Sequence, residues 1–248
     1  MSYARARRTK RSPASRVRPF WVLLALAGIA VAGALGFFAT WPGFDLAHVT
    51  VSGNRKVTTS EILLAARISV NRSIWLENTG AIAARIGRIP YVESASIHRL
   101  PPASLAIVVR ERVPIAILQV DDDTAVVDRS LRVLEEPASA QTLPVFSLST
   151  TLTLTPGEFV TSKDALELRD AYETLSGKGT KVTALSLDRY GDLTAELPGG
   201  VRLLLGAPEN LEKKIALAGA IISQTGRGQR KISALDLRAP NTPVIVYR

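Results

Sequence analysis

The chain has 248 residues, 46% of them hydrophobic, no cysteine and a formal net charge of +9. The absence of cysteine excludes disulfides, thiolate metal ligands and a cysteine nucleophile, so its cores must hold by packing alone. The charge is not that of a nucleic-acid binder. Arg5, Arg7, Arg8, Lys10, Arg11, Arg16 and Arg18 carry +7 with no acid among them, which leaves only +2 for everything after residue 19.

Residues 20–40 carry no charge at all. A helix of that length spans about 30 Å at roughly 1.5 Å per residue, the thickness of a bilayer's hydrocarbon core. Trp21 and Trp41 stand near its two ends, where indoles prefer the headgroup level, and Pro42-Gly43 ends it. Residues 20–41 are therefore expected to form a transmembrane signal anchor. The basic tail, 1–19, stays cytoplasmic by the positive-inside bias, and the rest of the chain is exported. The alternative is a cleaved signal peptide with Ala32-Gly33-Ala34 as its small-x-small site, although the apolar run continues through Leu35, Phe37 and Phe38. Gly28, Ala32 and Gly36, four apart, suit either a close helix-packing face or simply an Ala/Gly-rich span.

Residues 44–113 read as β-α-α-β-β. A strand over 44–52 places Val49 and Val51 on one face and turns at Gly53-Asn54. Thr58 and Glu61 are spaced as a capping box, with Val57 and Ile62 in the staple positions, which predicts a helix from Thr59 to about Arg67. A second helix over 79–88 carries Ile82 and Ile86 on one stripe and stops before Pro90. Strands over 91–99 and 104–113 follow. The second of them alternates Leu105, Ile107 and Val109 inward against Arg110 and Arg112 outward.

From Pro114 strand signals dominate, over 115–120, 124–127 and 131–134, with turns at 121–123 and 128–130. Residues 150–157 read as a threonine-rich connector. Ser162 caps a helix with the stripe Ala165, Leu168, Tyr172 and Leu175. Strands over 182–187, 193–197 and 201–205 form a meander. Pro208 opens a helix with Leu211, Ile215, Ala218 and Ile222 on one face, followed by basic, glycine-rich turns. Two last strands, 231–237 and 242–247, finish the chain. The whole is an α+β protein: one transmembrane helix, a β-α-α-β-β domain, and a β-rich second domain with two helices.

Catalytic signals are weak. His48 and His98 sit in separate predicted strands without partners spaced for metal or triad chemistry. Asp121-Asp122-Asp123 lacks the Gly and Glu of a calcium loop and reads as a solvated turn. Gly177-Lys178-Gly179-Thr180 follows a helix and has no GxxxxGK frame, so it reads as a C-cap. No cofactor or metal is expected, and a Ser/Lys hydrolase has no motif in its favour. The last strand is more informative. Val244 and Val246 point one way, Ile245 and Tyr247 the other, and Pro243 suits an edge. An apolar edge strand either stays idle, its faces covered by the preceding helix and the core, or recognises a partner by strand addition.

The order of these parts resembles the FtsQ/DivIB family of bacterial cell-division proteins. The resemblance runs through Val49-Thr50-Val51-Ser52-Gly53-Asn54, Ile89-Pro90-Tyr91-Val92-Glu93-Ser94-Ala95 and Val109-Arg110-Glu111-Arg112-Val113-Pro114-Ile115-Ala116. It continues through Val126-Val127-Asp128, Leu143-Pro144 and Ile232-Ser233-Ala234-Leu235-Asp236-Leu237-Arg238. The Glu-Arg-x-Pro string is the most specific of these, and Tyr91 stands where the family often has tryptophan. The resemblance implies a POTRA domain over 44–113 and a β-rich FtsQ-type domain over 114–248. It also implies a non-enzymatic divisome scaffold at the septum of the plasma membrane, which binds FtsB/DivIC- and FtsL-type coiled-coil proteins and helps recruit or regulate septal peptidoglycan synthesis. Carried onto this chain, the partner-binding residues are Arg238, Val244, Ile245, Val246 and Tyr247, with Lys213, Lys214 and Leu217 on the neighbouring helix. A POTRA-bearing accessory of protein export is the alternative. The excess of 23 arginines over 8 lysines is compatible with an actinobacterium-like source.

Overall fold

The computed structural model describes residues 19–135, 142–225 and 231–248. The basic cluster Arg5 to Arg18 and the glycine-rich turns after the last helix lie outside the described residues. The first element, α1 (Pro19–Ala39), matches the predicted span, and within it Phe20–Phe38 is long and apolar enough to cross a membrane, with none of it buried. A short 3-10 turn, Pro42–Phe44, follows it.

The expected 44–52 strand is shorter than its pattern suggests. It begins only at β1 (His48–Ser52), because Pro42 and Gly43 hold the preceding residues in the 3-10 turn. At its far end Gly53 adopts φ +85°, where an added Cβ would fall 2.1 Å from the Val109 carbonyl oxygen, so the turn tolerates no side chain. Next come α2 (Thr59–Ala66) and α3 (Thr79–Ile86). The Thr58 hydroxyl accepts the Glu61 N–H at 3.2 Å, as the capping spacing requires, and the Asn78 side chain accepts the Ala81 N–H at 3.0 Å. The staple residues Val57 and Ile62 are both buried. Then β2 (Val92–Leu100) and β3 (Ser104–Glu111) complete a three-stranded sheet ordered β1-β3-β2. Leu105, Ile107 and Val109 are buried as the alternation predicts, together with Ile82 and Ile86 of α3.

One expectation on this stretch is overturned. Arg112 does not point outward: β3 ends at Glu111, the alternation lapses, and the Arg112 side chain turns into a buried ion pair with Asp128. Arg110 does remain exposed and pairs with Glu93 at 2.7 Å.

The remaining strands are β4 (Pro114–Val120), β5 (Asp123–Asp128), β6 (Val133–Glu135), β7 (Val145–Leu148), β8 (Ala184–Leu187), β9 (Leu193–Leu197), β10 (Val201–Gly206), β11 (Ile232–Asp236) and β12 (Val244–Tyr247). They form one nine-stranded sheet in the order β12-β11-β10-β9-β8-β7-β4-β5-β6. The pairs β4/β7, β7/β8 and β10/β11 are parallel, and the others antiparallel. Two helices, α4 (Lys163–Gly177) and α5 (Leu211–Thr225), supply the crossovers that the parallel β7/β8 and β10/β11 pairs need. Both contact the sheet, α4 at β7 and β8, α5 at β10 and β11. Their stripes bury Leu168, Leu175, Leu211 and Ile215 in one core with Leu118, Phe146, Leu185, Leu203 and Leu235 of the strands.

Two further differences concern this domain. Strand β7 was not anticipated, since four residues within a Pro- and Ser-rich stretch give too short a pattern, yet Phe146 is fully buried at its centre. And α5 begins at Leu211, not at Pro208: Asn210 takes a left-handed conformation at φ +57°, which a right-handed helix cannot pass through.

The described residues divide into two compact units. One holds α1 and the chain up to Val49, with Ser69–Glu77 and Arg99–Leu105; the other holds Thr50–Ile68, Asn78–His98 and the chain from Ala106 onward.

Candidate partner-binding edge

The last strand lies at the end of the sheet. Its inner side pairs with β11 antiparallel, Asp236 opposite Val244, Leu235 opposite Ile245 and Ala234 opposite Val246, and no described strand pairs with its outer side. Residues directly opposite share a face, so the register decides which side chains are available. Ile245 lies on the face of fully buried Leu235 and packs against the core. Val244 and Val246 lie on the other face and are 57% and 49% exposed; Tyr247 is 40% exposed. That face continues inward as Ala234, Arg202, Glu196 and Ala184 on successive strands, a row of small and charged side chains.

Arg238 follows β11. Its guanidinium meets the Asp236 carboxylate at 2.6 Å, and its own N–H donates to the same carboxylate at 3.0 Å. These hydrogen bonds hold the Asp236 carboxyl below the usual carboxylate range, and in return the carboxylate pushes the Arg238 guanidinium up. Gly206, at φ +64°, makes room for this arrangement: a Cβ there would fall 2.9 Å from Arg238 Cγ. At the other end of β12, Arg248 donates its N–H to Lys231 O at 3.0 Å and its Nη2 to Gly199 O at 2.6 Å, tying the strand's exit to the β9–β10 turn. Neither Gly206 nor Arg248 carries a signal in the sequence, since each acts through residues far away along the chain.

The structure thus gathers Arg238, Val244, Ile245, Val246 and Tyr247 on or beside the edge strand. The three helix residues stand apart, on α5, whose sheet contacts are with β10 and β11. Lys213 is exposed and Leu217 half-buried against the core. Lys214 is a correction. It is buried at 5% exposure and its ammonium donates to Leu205 O at 2.6 Å and Ala207 O at 2.7 Å, so it anchors α5 to the end of β10 and presents no charge to a partner.

Other candidate chemistry is dispersed. His48 and His98 are exposed on separate strands, residues 121–122 link β4 to β5 with Asp123 opening β5, and Lys178 is the C-cap of α4. Among the described residues no group of three or more His, Asp or Glu is placed to hold a metal ion.

An apolar helix able to cross a membrane, a β-α-α-β-β sheet unit and a long mixed sheet whose last strand is terminal together define a class of modular α+β proteins with one candidate membrane span. Residues 44–112 match the family model described as POTRA domain, FtsQ-type, and residues 116–238 match that of the cell division protein FtsQ/DivIB C-terminal region. The chain belongs to the FtsQ/DivIB family of cell-division proteins. It is 26% identical to the cell division protein FtsQ of Mycobacterium tuberculosis over 224 residues, 90% of this chain and 67% of that one. With the FtsQ of Mycolicibacterium smegmatis it shares 24% over 239 residues, 96% of this chain and 68% of that one. With that of Rhodothermus marinus it shares 31% over 120 residues, 47% and 44% of the two chains. The C-terminal family match ends at Arg238, so β12 lies beyond it.

Proposed function

We propose that this protein is a non-enzymatic scaffold of the divisome, anchored by α1 with its basic tail in the cytoplasm, and that it captures an FtsB/DivIC-type partner, with FtsL-type proteins, by strand addition to β12 at the septum. In this reading residues 44–113 form the POTRA domain, residues 114–248 form the partner-binding β domain, and the assembly recruits or regulates septal peptidoglycan synthesis. The observation that carries it is the outer edge of β12, to which no described strand is paired, with Val244 and Val246 exposed on the open face. Main-chain hydrogen bonds along the edge supply affinity, and the two valines supply apolar contact. Arg238, already neutralised by Asp236, adds selectivity more than energy.

The test is calorimetric titration of the full chain in nanodiscs with the extracytoplasmic segment of an FtsB/DivIC-type protein from the same cell. Val246→Glu is expected to weaken binding by well over tenfold, more than about 1.4 kcal/mol, while the thermal transition is kept. Loss of binding together with loss of the cooperative transition would make Val246 a core residue. Failure of the intact chain to bind would remove strand addition from the account.

A further inference from the structure

The segment that leaves α1 is tied to the loop between α2 and α3. Leu46 N–H donates to the Arg72 carbonyl at 3.1 Å, Ile74 N–H donates to the Phe44 carbonyl at 2.9 Å, and Asp45 and Ser73 form a bridge between these bonds. Arg99 braces the same loop, donating from Nε to Ile74 O and from Nη2 to Glu77 O, each at 2.7 Å. A line of aromatic rings runs the same way. Phe38, in the last turn of α1, lies 4.9 Å from Phe44, which lies 5.8 Å from Trp41 and 6.2 Å from Trp75. All of these residues belong to one compact unit.

The loop so held carries Val70 at 78% exposure and Trp75 and Leu76 at 45% each, with Arg72 exposed among them. Single exposed apolar residues need no explanation, but a tryptophan and two aliphatic side chains on one short, braced loop do. The 21 residues of α1 span about 31 Å, so its end coincides with the edge of the hydrocarbon core, and the headgroup layer occupies roughly the next 5–8 Å. Two ring contacts in series, through Phe44, tie Trp75 to Phe38 at that edge, beside the layer that indoles favour.

We infer that Val70, Trp75 and Leu76 dock the α2–α3 loop onto the headgroup layer of the bilayer that α1 crosses. The contact rests on the reading of α1 as a membrane span. It gives the compact unit that contains the helix a second attachment to the lipid. Arg72 adds attraction to anionic headgroups.

The chain contains three tryptophans, which makes the test direct. The full chain with Trp21→Phe and Trp41→Phe is reconstituted into vesicles of phosphatidylcholine and phosphatidylglycerol without other protein. Trp75 emission is expected to be blue-shifted, protected from aqueous iodide, and lost when the acyl chains are brominated near the headgroup. Leu76→Asp in that background, with an unchanged thermal transition, is expected to shift the emission to the red and restore iodide quenching. A sister chain keeps Trp21 as its sole tryptophan. If Trp21 responds to brominated lipid and Trp75 responds only to iodide, the loop contact is overturned and the patch belongs to a protein partner. If neither responds to brominated lipid, the span and the loop contact fall together.

Discussion

Arg112 Nη1 donates to Asp128 Oδ2 at 2.5 Å, with side-chain exposures of 9% and 6%, and so joins two strings far apart in the chain, Glu-Arg-x-Pro and Val-Val-Asp. The other oxygen of Asp128 accepts the N–H groups of Ser130 and Arg132 at 2.8 and 2.9 Å. Arg112 and Arg132 stand 5.5 and 5.4 Å from the ring of Phe159, and burial, together with the Arg112 charge, pushes the Arg132 guanidinium down. This makes the residues around Arg112 a buried electrostatic joint, where removing one charge strands the other.

Arg112→Met is accordingly expected to destabilise the protein by about 3–5 kcal/mol, because the Asp128 carboxylate stays buried without its cation. Asp128→Asn added to that background should recover part of the loss. Guanidinium unfolding of the detergent-solubilised chain, followed by circular dichroism, measures both steps; a double variant no more stable than Arg112→Met would show that the pair is not the source of the effect.

The neighbouring Glu111 gives a pH dependence. Its carboxylate accepts the N–H groups of Arg55, Lys56 and Val57 at 2.8, 2.9 and 2.9 Å. Burial alone would raise its pKa, but the donated backbone hydrogen bonds outweigh burial and hold it below its ordinary 4.5. The unfolded chain therefore binds this proton first as pH falls, and the stabilisation, full above pH 4.5, is lost as pH drops through the folded value. Glu111→Gln should be less stable at neutral pH and show a flatter decline below pH 4.5, in thermal melts across an acid series.

Lys214 and Lys213 are adjacent in sequence and opposite in role. Lys214→Met leaves the buried Leu205 carbonyl and the half-buried Ala207 carbonyl without their charged donor and is expected to cost about 1.5–3 kcal/mol. Lys213→Met, at an exposed position, should change stability by less than about 0.5 kcal/mol. Equal effects in denaturant melts would contradict the placement of Lys214 under α5.

The two faces of β12 predict a similar separation. Ile245→Ala removes a side chain packed on the core and should lower stability by about 2 kcal/mol. Val244→Ala, on the open face, should leave stability within about 0.5 kcal/mol while weakening partner binding. Paired melting and titration of the two variants distinguishes a recognition face from a structural one.

Local chemistry in the chain suffices for much of this architecture. The uncharged run of α1, the hydroxyl caps Thr58 and Ser162, the alternation of Leu105, Ile107 and Val109, and the stripe of α4 all arise between residues at most a few positions apart, where periodicity and capping act. The apolar strand at the C-terminal end was legible for the same reason. Its edge position was legible as well, from Pro243, but its neighbours in the sheet were not, because strand order depends on pairings such as β10 with β11 across a whole helix. The same holds for β7, whose four residues become a strand only between parallel neighbours, and for Arg112, which the alternation turns outward until Asp128 is brought opposite it. Lys214 reads as a surface cation until the end of β10 offers it two carbonyls. Each of these outcomes is decided by contacts between distant segments, whose energies no local pattern contains, and that is where the tertiary structure chose which face of the last strand is open and which is core.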